Sequence, residues 1–169
     1  MRADMQFDFL VDREANTIIV KREFAARRQL VWDCHTKSEL LDQWFAPKPL
    51  TTETASMDFR PGGHWHYAMV EPEGNKHWGW MEYQSIRPID NYTALDGFCD
   101  EAGNLNPGLP RAAWNVTFTD EGDHTLVTTL VSYDSLEDLN TVIKMGMEEG
   151  LTSTLERLDE LLDALQKSA

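Results

Sequence analysis

The sequence predicts an α+β fold in which a curved antiparallel sheet grips one long C-terminal helix. Three observations carry this expectation. From Leu136 to Gln166, apolar residues recur at helical spacing on one face. From Leu50 to Tyr133 the pattern is strand throughout, punctuated by glycine, proline and aspartate turns. Before that come a strand and two short helices. Runs of strands followed by a helix, without βαβ alternation, are the signature of an antiparallel sheet with helices gathered on one side.

Taken in order, Met5 to Val11 suits a short strand, turned by Asp12-Arg-Glu-Ala15. Asn16 to Phe24 is β-branched and alternating and forms the next strand. Arg27 to Cys34 is read as a short helix with Leu30 and Val31 inward. Thr36 with Glu39 makes a capping box that opens a second helix through Leu40 and Leu41 to Trp44. Ala46-Pro-Lys-Pro49 ends it, because proline can neither donate a helical hydrogen bond nor follow a helical residue comfortably. Strands are then expected at Thr51–Phe59, His64–Val70, Lys76–Arg87, Tyr92–Cys99, Ala113–Thr119 and Thr125–Tyr133. The turns between them include Arg60-Pro-Gly-Gly63 and Asp120-Glu-Gly-Asp123.

The final helix starts at Ser135, a good N-cap with Asp138 three residues on. One face carries Leu139, Ile143, Met147, Gly150, Leu151, Thr154, Leu158, Leu161, Leu162 and Leu165; acids dominate the other. As one rod it would be about 45 Å long. Its inward stripe is thin in the first half, where Gly146, Met147, Gly150 and Thr154 fall, and almost all leucine in the second. Glycine inside a helix costs about 1 kcal/mol against alanine, so two of them need a reason. Either they leave a cavity beneath the helix, or they admit bulky side chains from the sheet; the sequence leaves both open.

The chain has 169 residues, expected to form one domain over 1–169, and a net charge of -14. That acidity argues against nucleic acid and anionic membrane surfaces as partners. No apolar run approaches the roughly 20 residues of a membrane span. Met1–Leu10 has no apolar h-region after Arg2, so no signal peptide is expected. Cys34 and Cys99 lack a CxxC partner, which fits a reduced, cytoplasmic protein.

His64 and His66 share a strand face about 7 Å apart, a spacing open to metal ligation. Neither His35 nor His77 completes a motif, and neither a metal nor a cofactor is expected. Nothing marks a nucleophile: there is no Gly-x-Ser-x-Gly elbow, and Cys34 and His35, adjacent on a helix, point in different directions. Asp58 and Arg60 fall on one strand face and are expected to pair across the glycine turn. The aromatics are more informative. Trp65, Tyr67 and Met69 share one face of their strand, Trp78 and Trp80 a face of the next, and Trp114, Val116 and Phe118 a face of the closing hairpin. So many large rings exceed what a minimal core needs, and some are expected to line a pocket. The expected lining is Trp44, Trp65, Tyr67, Trp78, Trp80, Trp114, Met147, Gly150 and Thr154. The expected polar anchors are His66, Glu82 and Tyr83, with Arg111 a further candidate.

Four motifs stand out along this element order: Leu41-Asp-Gln-Trp-Phe-Ala-Pro47, Met57-Asp-Phe-Arg-Pro-Gly-Gly63, Ile86-Arg-Pro88 and Gly146-Met-Glu-Glu-Gly-Leu151. With them the order resembles the helix-grip fold of the START-like superfamily, also called SRPBCC or birch-pollen-allergen-like. Within it the chain is similar to the homologues of the activator of the ninety-kilodalton heat-shock protein ATPase. The likeness spans about Thr17 to Leu165. The resemblance implies a cavity between sheet and helix that binds a small hydrophobic molecule, lipid-, polyketide- or flavonoid-like, without fixing one activity. Three functions follow, in this order: a non-enzymatic binding module, a cyclase- or dehydratase-type enzyme using the same cavity, and a co-chaperone-like domain that binds another protein. The eukaryotic co-chaperones of the family carry an additional N-terminal domain that this sequence lacks, which places the last reading third. A homodimer through a sheet edge is compatible with all three.

Overall fold

The computed structural model describes residues 5–168. Met1 to Asp4, including the Arg2 that would open a leader, lie outside the described residues, as does Ala169. The elements are β1 (Phe7–Asp12), β2 (Thr17–Phe24), α1 (Arg28–Thr36), α2 (Ser38–Leu41), β3 (Thr51–Met57), β4 (His64–Val70), β5 (Lys76–Arg87), β6 (Asn91–Phe98), β7 (Ala112–Glu121), β8 (His124–Tyr133), α3 (Leu136–Lys144) and α4 (Met147–Lys167). All eight strands join one antiparallel sheet in the order β1-β2-β8-β7-β6-β5-β4-β3. The four helices cover one face of it, so the α+β helix-grip architecture holds.

Alternation fixes the inner face. It collects Ile18, Val20 and Phe24 from β2, Trp65 and Tyr67 from β4, Met81 and Tyr83 from β5, and Val127 and Val131 from β8. Trp32 of α1 plants its indole edge-on against Phe118, with centroids 5.1 Å apart, and against Phe59 at 5.9 Å. Phe59 in turn meets Tyr83 at 4.7 Å. These rings are packed as a core, with the tilted geometry aromatic quadrupoles prefer. The β7–β8 hairpin closes on Gly122 and Asp123, between the paired Glu121 and His124. Gly122 takes φ 79°, which suits the primed turn of a two-residue hairpin.

Two expectations about helices are corrected. The C-terminal rod is two helices, because Gly146 takes φ 88° and ends α3 while capping α4. Left-handed backbone cannot continue a right-handed helix. The second correction is at Thr36: its hydroxyl donates to the Trp32 carbonyl at 2.9 Å, inside α1, and is not available to cap α2. The cap position falls to Lys37, with no side-chain hydrogen bond. The cap at Ser135 is as expected: its Oγ accepts the Asp138 N–H at 3.1 Å.

The second half of α4 is strapped down. Arg157 donates from one nitrogen to the carbonyls of Ala46 at 2.7 Å and Leu50 at 2.6 Å. Gln166 reaches the carbonyl of Ala25 at 2.9 Å. Leu155, Leu158 and Leu162 are buried beneath this half. Among the described residues no helix is long and apolar enough to cross a membrane.

Candidate ligand-binding cavity

A cavity of about 310 Å³ lies where α3 and the first turns of α4 cross the sheet. Its size falls at the lower end of small-molecule pockets, which run from about 300 to 1,000 Å³. The helices supply Val142, Met145, Gly146, Met147, Gly150 and Thr154. The sheet supplies Tyr67 and Met69 from β4, Asp96 and Phe98 from β6, Trp114 from β7 and Tyr133 from β8. Phe45, Pro47 and Pro110 close the rim. A second void of about 40 Å³ lies deeper, bounded by Arg22, His35, Trp44 and Tyr92 among others. Phe45, Trp114 and Leu151 line both and form the wall between them.

The two glycines contribute differently. A Cβ at Gly150 would meet only Pro47 Cγ, at an ordinary contact distance of 3.9 Å, so there is room for a methyl at this point over the cavity. Gly146 is demanded by its backbone. On the sheet, a Cβ at Gly79 would overlap the Tyr67 ring, which lies flat across the β5 backbone opposite it. Glycine there lets Tyr67 extend into the cavity wall.

Asp96 is the polar centre. Its Oδ1 accepts the Ala112 N–H and its Oδ2 the Trp114 Nε1–H, each at 2.7 Å. Burial raises this carboxyl above the usual carboxylate range; the two hydrogen bonds and the charge of Arg111 oppose that shift without cancelling it. Burial also raises the phenols of Tyr67 and Tyr133, and the nearby Asp96 charge pushes both further up. The Tyr133 hydroxyl donates to Met147 Sδ at 3.6 Å. A buried carboxyl and two buried phenols, each raised by desolvation, therefore meet at one apolar cavity, a combination that recurs at functional sites.

Of the residues expected to line a pocket, the structure brings together Tyr67, Trp114, Met147, Gly150 and Thr154. It places the others elsewhere. Trp44 lines only the inner void and donates from its indole to the Cys34 carbonyl at 2.8 Å. Trp65 stacks on Tyr67 at 4.0 Å, donates to Thr54 Oγ1 at 3.0 Å and borders neither space. Trp78, Trp80, His66 and Glu82 lie on the outer face, because the β4–β5 register pairs Trp80 with His66, Trp78 with Ala68 and Glu82 with His64. There His64 stacks on Trp80 at 4.8 Å, and His66 contacts the carbonyl of Asp100 at 3.0 Å through Nε2. Tyr83 points inward but into the aromatic core. Arg111 donates from Nε to the Asp96 carbonyl at 2.7 Å, with a terminal nitrogen 3.9 Å from Glu82.

Sequence reasoning missed Asp96 and Tyr133. A signal for the first was present: Tyr92, Ala94, Asp96 and Phe98 share one strand face, and an acid amid three apolar neighbours on an inward face is an anomaly. Among the described residues no three His, Cys, Asp or Glu side chains cluster as metal ligands. Cys34 is buried and its thiol pushed up to about 12, so it is a poor nucleophile. Arg60 Nε donates to Asp58 Oδ2 at 2.6 Å across the glycine turn. A Cβ at Gly63 would collide with the Asp58 carbonyl, which makes this motif an element of chain geometry.

A family model described as Activator of Hsp90 ATPase homolog 1-like protein matches residues 25–163. Among solved structures, protein Ms6760 from Mycobacterium smegmatis is 32% identical with a TM-score of 0.85, over 94% of this chain and 96% of that one. A protein from Arthrobacter aurescens is 28% identical with a TM-score of 0.88, over 93% and 91%. A protein from Staphylococcus epidermidis is 28% identical with a TM-score of 0.80, over 91% and 93%. No curated protein matches the sequence.

Proposed function

This chain belongs to the family of Activator of Hsp90 ATPase homolog 1-like proteins, and on that premise we propose that it binds a small hydrophobic or aromatic molecule in the cavity under α3 and α4. The observation that supports this reading most is the space itself: about 310 Å³, walled by rings, methionines and a helical glycine beside which Pro47 still leaves room for a methyl. An apolar cavity of about 150 Å³ admits one benzene ring, so this one suits a molecule of two or three rings. Burying about 200 Å² of apolar ligand surface would contribute about 5 kcal/mol before the costs of association. Asp96, Tyr67 and Tyr133 would set its orientation.

The test is titration with planar aromatic and fatty ligands while tryptophan emission is followed, since Trp114 lines the cavity. Saturable changes are expected, abolished in Gly150→Phe, whose ring would occupy the space. A flat response across such a panel would remove the proposal.

One observation favours a second reading. A carboxyl raised by burial next to two phenols is equipped for proton transfer, so a cyclase- or dehydratase-type enzyme with Asp96 as its acid or base is the alternative. It requires the bound molecule to be recovered chemically changed, with the change lost in Asp96→Asn.

A further inference from the structure

We propose that the cavity selects hydrophobic molecules bearing a protonated amine, with the Asp96 carboxylate as counter-charge and the surrounding rings as the cage of the alkylammonium. The inference rests on the reading of this space as a ligand site and specifies what that ligand carries.

Among the described residues, Asp96 is the one acidic or basic side chain in the lining; the rest are aromatic, aliphatic, thioether or small. Its carboxylate is fixed in place by two N–H donors, from Ala112 and Trp114. An ionised carboxylate offers about four acceptor positions, so acceptor capacity remains for a group in the cavity. Among the described residues no cation forms an ion pair with the Asp96 oxygens, although Arg111 lies close enough for its charge to act on the carboxyl. Arg111, which approaches from behind, spends its Nε on the Asp96 backbone carbonyl and turns a terminal nitrogen towards Glu82. Arg22 faces the inner void, behind the wall of Phe45, Trp114 and Leu151.

The chemistry follows from that arrangement. A charge in an apolar space is costly unless it is paired, and an ammonium supplied by a ligand completes the pair with charge-assisted hydrogen bonds. Tyr67, Trp114 and Tyr133 present rings to the same space, and an ammonium is attracted to aromatic faces within about 6 Å. A carboxylic acid of the same shape would face repulsion from Asp96, and a neutral alcohol would gain one ordinary hydrogen bond. The net charge of -14 acts in the same direction at longer range, raising the local concentration of cations.

Three probes of one shape separate these cases: 2-(aminomethyl)naphthalene, 2-naphthalenemethanol and 2-naphthoic acid, each titrated calorimetrically into the intact protein at pH 7. The amine is expected to bind at least about tenfold tighter than the alcohol, with the acid weakest. In Asp96→Asn the alcohol should still bind, while the advantage of the amine falls to about threefold or less, the residue left by the rings. Asn keeps one acceptor for the two N–H donors and sets its amide against the other. A measurement on the unaltered protein therefore runs beside it: the carboxyl carbon resonance of Asp96 should titrate at lower pH when the amine is bound. Alcohol or acid binding as tightly as the amine overturns the inference, as does a folded Asp96→Asn that keeps the full preference, or a resonance indifferent to the amine. If none of the three probes binds, the ligand-site reading falls with it; equal binding of all three overturns the amine preference alone.

Discussion

His35 and Asp96 are both buried titratable groups, and their protonation pulls stability in opposite directions. His35 is held between Trp44 and Phe118, with ring centroids 5.0 Å from each, and its Nδ1 lies 2.8 Å from the Val31 carbonyl. Burial brings its pKa from the ordinary 6.5 down to about 4. The unfolded chain therefore binds a proton that the folded one refuses, and stability is lost as pH falls from 6.5 towards 4. The gap corresponds to about 3 kcal/mol. His35→Phe should flatten this acid limb in urea unfolding compared at pH 7 and pH 5. A limb of unchanged depth would mean that other groups carry it. For Asp96 the sign reverses: its folded carboxyl holds the proton more tightly than the unfolded one. Stability therefore declines as pH rises from the ordinary carboxylate value through the raised one. A cationic ligand would offset that decline, so thermal protection by an amine should grow across the same interval.

At the scale of elements, the two glycines of the α3–α4 segment make opposite predictions. Gly150→Ala removes a helical glycine where a methyl fits, and should stabilise by about 0.5 to 1 kcal/mol while narrowing the cavity and weakening binding. Gly146→Ala forces an L-residue to φ 88° and should cost about 1 to 2 kcal/mol while leaving the cavity volume almost unchanged. Thermal melts of the two variants check both signs. The same pair marks what the sequence reveals at this scale. Helical spacing placed apolar residues on one stripe, and the thinness at Gly146 and Gly150 showed where a hollow could be. Spacing carries no dihedral angle, however, so a break at Gly146 was invisible. Strand faces show a similar limit. Alternation separated Trp65 and Tyr67 from His66, and Trp78 and Trp80 from Gly79 and Met81, but the period alone leaves open which set turns inward. The register settles it: Tyr67 pairs with Gly79, and both tryptophans of the Trp-Gly-Trp stretch turn outward. A glycine between two indoles was the inward residue, since the neighbouring strand's tyrosine needed its place.

Across the whole molecule, the architecture was legible because eight strand patterns and one amphipathic segment have few other ways to bury their apolar faces. The site was legible in part. Met147, Gly150 and Thr154 were identifiable on the apolar stripe of the helix, and Tyr67 and Trp114 as large rings whose strand face the sequence left open, whereas Asp96 gains its character from the closing of β6 against β7, which brings the Ala112 and Trp114 N–H groups to it. The two voids share the wall of Phe45, Trp114 and Leu151. Leu151→Ala would join them, at a cost of about 2 kcal/mol, and should shift preference towards longer ligands in a chain-length series. An unchanged length preference would show that Phe45 and Trp114 suffice to separate the voids.

Arg157 has a mechanical consequence. Its two bonds to the carbonyls of Ala46 and Leu50 pin the trailing half of α4, while the elbow ahead of it, with Met145 55% exposed, is held by the longer Tyr133 hydroxyl bond to Met147 Sδ at 3.6 Å. Breathing of the molecule should therefore be lopsided. Deuterium should replace amide hydrogens sooner in Ile143–Gly150 than in Leu158–Ala164, and a bound guest should slow the first segment while leaving the second at its own pace.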